Sequence, residues 1–314
     1  MRFSRIMLII AAVAATVGFA STAVADDAPD STDRPLPEFF EGVRASGAGA
    51  SHTAVTSGFD SLYQNPAGVA RYPMYAIDGA FSYAPQGMIM TAGITDSLLN
   101  PDFALGVGWS YFTGTGDHDH LSGHDGRVVL GIPVAPEQLV VGVGLRYLRI
   151  ADESLPPDPT DDHSHLLING LTFGAGVNFR ASDMVHLGLQ VENLIDHCED
   201  NGLCRGATPT QVTGGLGVGD ELNFMLTGEA TADLTSGPDP MLDFALGGEY
   251  LVGHTTWLRA GFQHRSFLDR NLISIGIGWL SEEMGMGFDV SYRHDLNHSS
   301  ELGYLSTSFS FYPM

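Results

Sequence analysis

Phe103-Ala104-Leu105-Gly106-Val107-Gly108-Trp109-Ser110-Tyr111 is the stretch that decides the fold, because large apolar side chains alternate in it with alanine, glycine and serine. Successive side chains of a β-strand point to opposite faces, so this period of two means one bulky apolar face and one small or polar face. The same alternation extends outward in both directions. Towards the N-terminus it runs through Tyr75, Ile77, Phe81 and Tyr83, then Met88, Met90, Ala92 and Ile94. Towards the C-terminus it recurs eleven times, beginning with Val128, Leu130, Ile132 and Val134 and ending with Leu305, Thr307, Phe309 and Phe311. From residue 74 onward the chain therefore reads as all-β, with about fourteen candidate strands and no helix-period stripe.

Alternation alone fits a soluble sandwich, apolar face inward, as well as a membrane barrel, apolar face outward. Three observations favour the transmembrane antiparallel β-barrel. The repeats are long enough for a tilted strand of roughly 9–11 residues to cross a bilayer. All three tryptophans, Trp109, Trp257 and Trp279, are read near strand ends, where interfacial girdles form. The connections alternate in length: 135–137, 180–183, 219–221, 253–255 and 281–283 are tight, with 96–102 the one sizeable exception on that side, whereas 114–125, 152–165 and 194–209 are long. Tight periplasmic turns and long extracellular loops give that asymmetry. Composition agrees, since 39 glycines in 314 residues and only 16% charged residues depart from soluble averages. A net charge of -23, with every base an arginine, excludes nucleic acid as a partner.

Residues 1–25 read as a secretory signal peptide. Arg2 and Arg5 precede an apolar run at 6–20, and Ala23-Val24-Ala25 is a small-x-small cleavage site. Residues 26–39 are acidic and proline-containing, which reads as a flexible leader. Cys198 and Cys204 are expected to form a small disulfide loop, as in other exported proteins, rather than half of a zinc site. His118, His120 and His124, with His163 and His165 in the next loop, are the metal-ligand candidates; they lack a fixed spacing and read first as solvated acidic loops. No cofactor is implied. The polar strand faces carry lumen candidates: Asp78, Arg146, Arg180, Glu192, Glu229, Asp243, Glu249, Arg259, Asp289 and Arg293. Charges inside a barrel need partners, so mutual pairing is the first reading. No nucleophile elbow, HExxH or phosphate-binding loop is present, and the chain is read as a non-enzyme.

Between the leader and the first strand the pattern changes. Arg44-Ala45 with Gly47-Ala48-Gly49, then Ala54-Val55, Asp60-Ser61-Leu62-Tyr63 and Asn65-Pro66-Ala67-Gly68-Val69-Ala70 form a compound motif. It resembles the N-terminal hatch of the FadL-type outer-membrane transporters and their PorV-like relatives, over residues 40 to 72. The resemblance implies a hatch or plug, residues 40–73, inside a fourteen-stranded barrel, residues 74–314, with Asp60, Asn65, Pro66, Ala67 and Gly68 as its gating set. It implies passive passage of hydrophobic small molecules such as long-chain fatty acids. PorV-like relatives imply instead docking of a protein partner, and a polar porin is a third reading. The expected partners are the lipid bilayer, a hydrophobic small molecule and the outer-membrane insertion machinery. The mature chain is expected to fractionate with the bacterial outer membrane and to migrate as a heat-modifiable band in mild detergent; recovery as a soluble periplasmic protein would refute the barrel.

Overall fold

The apolar residues of the deciding stretch face away from the interior. Leu105, Val107 and Trp109 are 43, 54 and 48% exposed, whereas Ala104, Ser110 and Phe112 on the other face are 1–3% exposed. An aqueous sandwich would invert that pattern, so this wall is built for hydrocarbon. The computed structural model describes residues 40–313, apart from 101, 136, 156–165, 196–207, 238, 267, 282 and 298–302. Among the described residues no helix is long and apolar enough to cross a membrane.

The strands are β1 Tyr75–Ala84, β2 Gly87–Asp96, β3 Ala104–Gly114, β4 Leu121–Ala135, β5 Leu139–Asp152, β6 Leu166–Ser182 and β7 Val185–Glu192. They continue as β8 Gln211–Asp220, β9 Phe224–Asp233, β10 Met241–Val252, β11 Thr256–Arg265, β12 Arg270–Ser281, β13 Met286–Asp295 and β14 Tyr304–Phe311. Each pairs antiparallel with its sequence neighbours, and β1 pairs with β14 from Ile77↔Phe311 to Tyr83↔Leu305, closing a fourteen-stranded barrel. Connections at the end where β1 begins are short, as at 183–184, 221–223 and 253–255, with 97–103 the longer exception. The opposite end carries 153–165, 193–210 and 296–303. Cys198, Cys204, His163 and His165 lie outside the described residues, as do residues 1–39, which the sequence reads as signal peptide and leader.

Two expectations are corrected. The long loop read at 114–125 is half strand and shortens to 115–120, because β4 starts at Leu121 and pairs with β3 as far as Thr113↔Ser122. Within it His124 turns outward between Trp109 and Tyr111, with ring centroids 5.3 and 5.2 Å away, whereas Asp125 turns inward and is 2% exposed. A histidine and a carboxylate on opposite faces cannot share a metal. Trp257 and Trp279 stand near the short-turn end, but Trp109 stands in the middle of β3, because β4, β5 and β6 rise beyond it.

Residues 40–73 occupy the lumen. They form one helical turn, α1 Val43–Gly47, and two 3-10 turns, Gly58–Leu62 and Pro66–Ala70, and most of their residues are buried, with Tyr72 and Pro73 exposed where the segment meets β1. Tyr63 packs edge to face against Phe40, ring centroids 4.8 Å apart, and against Phe59, and the three rings extend into an apolar cluster with Ile89, Phe112, Leu121, Leu148 and Ile150 from the inner wall. Elsewhere the backbone of the inserted segment lies directly on wall glycines. A Cβ on Gly247 would stand 2.1 Å from the Ala48 carbonyl oxygen, and one on Gly261 2.3 Å from the Gly49 nitrogen. Gly49 itself needs glycine, with φ +72° and no room for a side chain against Leu246 and Phe262. Gly247→Ala is therefore expected to destabilise the protein by about 1–3 kcal/mol through overpacking. Gly214→Ala, where an added methyl meets nothing within 4 Å, is expected to be neutral; the temperature of the heat-induced gel shift measures both.

Candidate functional site

Asn65 opens the second 3-10 turn of the inserted segment and ties it to the wall. Its Oδ1 accepts from the Ala67 N–H at 3.1 Å, capping the turn, and Pro66 takes the first position, where no N–H is needed. Its Nδ2 donates to the Thr53 carbonyl at 2.9 Å and lies 2.8 Å from the Asn178 amide oxygen of β6. The side chain is fully buried, and Gly176 beside it has no space for a Cβ. Ala67 rests on Gly142 of β5, while Gly68 lets the turn approach Thr56 and Ser61. The Asn-Pro-Ala-Gly motif thus joins two parts of the segment to two adjacent strands.

Charges make the other ties. Arg44 of α1 forks onto Glu249 of β10, with Nε and Nη2 at 2.9 and 2.6 Å, and Arg259 of β11 reaches the same carboxylate at 2.6 Å. Arg259 also pairs with Asp289 of β13, and His52 Nε2 lies 3.4 Å from Glu249. Glu41 pairs with Arg265 and, at 2.8 Å, with Arg293. Near the short-turn end Arg71 pairs with Glu221, contacts His186 at 3.0 Å and donates to the Ala54 carbonyl. On the opposite side Arg127 and Arg146 both grip Asp125, at 3.0 and 2.9 Å, and Arg127 donates to the Leu62 carbonyl beneath the Tyr63 ring.

The expected lumen residues divide among these sites. Glu249, Arg259 and Asp289 meet in one network, Arg146 stands in another with Glu192 3.7 Å from Arg127, and Arg293 joins a third. Glu229 accepts from the Thr53 N–H and Asp243 from the Ser266 N–H. Asp78 is buried opposite Ser310 at the β1–β14 closure, apart from the networks. Arg180 belongs at the rim, where its half-exposed guanidinium meets Asp183 across a turn; its inward phase had suggested the lumen, but the strand ends there. Among the described residues no three potential ligands gather as a metal site, and His120 makes only long contacts with Asp119 and Asp152. Glu41, Arg44, His52, Arg71, Asp125 and Arg127 are among the participants missing from the expected set, as are Glu221 and Arg265. Counting the outward phase of Val128 backwards along β4 would have placed Asp125 and Arg127 inside.

Between the inserted segment and the long-loop end lies a cavity of about 210 Å³, lined by polar groups of β8 to β11, by Arg127, Arg146 and Glu192 of β4, β5 and β7, and by Phe40, Tyr63 and Leu268. Below it Asp60 accepts from the Ala45 N–H at 3.3 Å. Burial pushes its carboxyl from the ordinary 3.8 up to about 7, against the pull of Arg44 and with a further rise from Asp289. Burial likewise lowers the His52 imidazole, despite the neighbouring Glu249. An acid raised in the folded state holds a proton that the unfolded chain has released, so stability falls as pH rises from about 4 to about 7 and levels off above that. Thermal unfolding across this window is expected to show the decline in the wild type and a flatter profile in Asp60→Asn.

No protein-family model matches this chain, and no curated protein matches it either. Solved structures do. A Pseudomonas aeruginosa FadL homologue superposes with TM-score 0.54 at 13% identity, covering 88% of this chain and 97% of that one. The Ralstonia pickettii toluene transporter TbuX gives 0.59 at 10% identity, covering 86% and 97%. The Pseudomonas putida toluene transporter TodX gives 0.59 at 10% identity, covering 88% and 98%. At such identities the likeness speaks for architecture, and by architecture this chain has the FadL-type outer-membrane transporter fold.

Proposed function

We propose that this chain is a non-enzymatic outer-membrane conduit for passive passage of small hydrophobic molecules, with residues 40–73 as its hatch. The observation that carries the reading is the segment itself: it fills the lumen and is fixed to the wall by glycine contacts, Asn65 and several ion pairs. An unplugged polar lumen would conduct ions, whereas a plugged one restricts passage to what can work past the segment. The fold shared with the toluene transporters TbuX and TodX supports a hydrophobic cargo, and the apolar outer wall supports residence in the bilayer. Long-chain fatty acids belong to the same cargo class.

One observation favours the docking reading: the cavity is polar and, at about 210 Å³, smaller than the roughly 300–1,000 Å³ of usual ligand pockets. A lumen so nearly filled suits a scaffold presenting its loops to another protein.

In planar bilayers the full protein is expected to show little ion conductance, while cells producing it take up toluene or a long-chain fatty acid faster than cells lacking it. Asn65→Ala removes hydrogen bonds to buried partners, at about 1–3 kcal/mol, and is expected to slow uptake with the heat-modifiable barrel retained. Large non-selective conductance would point to a porin. A stable copurifying protein without uptake would replace transport by docking.

A further inference from the structure

The cavity above the inserted segment has a chemical bias that a purely apolar cargo does not use. Glu229 of β9, Ala245 of β10 and Gln263 of β11 form one row across three paired strands, Glu229↔Ala245 and Ala245↔Gln263. Neighbouring strands are about 4.8 Å apart, so two long polar side chains stand roughly 10 Å apart with only a methyl group between them. Both line the cavity. The row below is filled by the inserted segment, where Ser51 meets Thr227 at 2.6 Å and Ala48 covers Gly247. The row therefore forms the lowest open level of the cavity wall.

Most charges around this space are already engaged. Arg127 and Arg146 turn to Asp125, and Arg265 turns to Glu41. Asp233 accepts from the N–H groups of Thr235 and Ser236, and Asp243 from that of Ser266. Glu229 is different: among the described residues its only hydrogen-bond partner is Thr53, through the N–H at 3.2 Å and the side-chain hydroxyl, and no arginine pairs with it. Gln263 is only 9% exposed, and its Oε1 has no donor among the described residues. A buried acceptor left without a donor is costly, and in the same row as a carboxylate it favours a donor-rich or cationic group over an anion. Phe40, Tyr63 and Leu268 supply aromatic and apolar surface in the same cavity.

We propose that this cavity is a binding site for a small amphipathic molecule with an ammonium head, held by Glu229 and the Gln263 carbonyl, and a short apolar body against Phe40 and Tyr63. The inference does not rest on transport, since the site binds such a molecule whether or not it then crosses the barrel. The test is calorimetric titration of the full protein in detergent with benzylammonium, toluene and benzoate, three probes of similar body and different head. Benzylammonium is expected to bind at least tenfold more tightly than toluene, and benzoate more weakly than either. Glu229→Gln keeps an acceptor for Thr53 but removes the charge, and is expected to bring benzylammonium to the level of toluene. Gln263→Leu is expected to weaken benzylammonium several-fold, with heat-modifiable migration checking that both barrels are folded.

Equal affinity for benzylammonium and toluene, preference for benzoate, or no binding of benzylammonium would overturn the proposal. So would folded variants with unchanged affinity. Should a variant fail to fold, the wild-type probe series decides by itself. Uptake of toluene without ammonium preference would remove this site and leave the conduit; ammonium binding without uptake would do the reverse.

Discussion

The hydrogen-bonded seam between β1 and β14 is the constraint on which the molecule depends. In hydrocarbon an unpaired N–H or C=O has no water to turn to and costs several kcal/mol, so a membrane sheet must have no edge. Closing the sheet satisfies every strand but creates a second demand: fourteen strands enclose more space than their own short inward side chains can fill. The inserted segment meets that demand. Its small residues lie on wall glycines where backbone must approach backbone, and its aromatic residues fill the volume beneath β2 to β6.

Ion pairs then specify how the segment sits. Moving a carboxylate and a guanidinium out of water costs about as much as their attraction returns, so such pairs add little net stability, whereas removing one partner strands a buried charge. Glu249 is 3% exposed and lies between Arg44 of the segment and Arg259 of the wall. A segment shifted along the barrel would lose Arg44 from Glu249 and Glu41 from Arg293 together. These pairs therefore select one placement over its neighbours, while packing supplies the attraction.

The strands were legible in the sequence because the bilayer imposes one rule on every outward residue, visible in runs such as Leu105, Val107 and Trp109. The same phase placed Glu249, Arg259 and Arg146 inside. Their partners were less legible. Arg44 and Glu249 are 205 residues apart, and no local pattern links them. Asp125 lay in a histidine- and aspartate-rich stretch that resembled a solvated loop, although two arginines hold it within the wall. The Gln263 carbonyl, without a donor among the described residues, was beyond sequence reading, because an unmet hydrogen bond is a property of three-dimensional neighbours.

The covalent link between Ala70 and Tyr75 joins the segment's last turn to the first strand of the seam. Ile77 and Phe311 belong to the first and last strands of the barrel, so their pairing is among the most non-local in the protein and must wait until the intervening strands are in place. The segment touches walls that exist only when those strands are assembled, yet it is tethered four residues from the strand that seals them. Seating and sealing should therefore be a single kinetic event, with the tether giving the segment a high effective concentration at the mouth of the forming barrel.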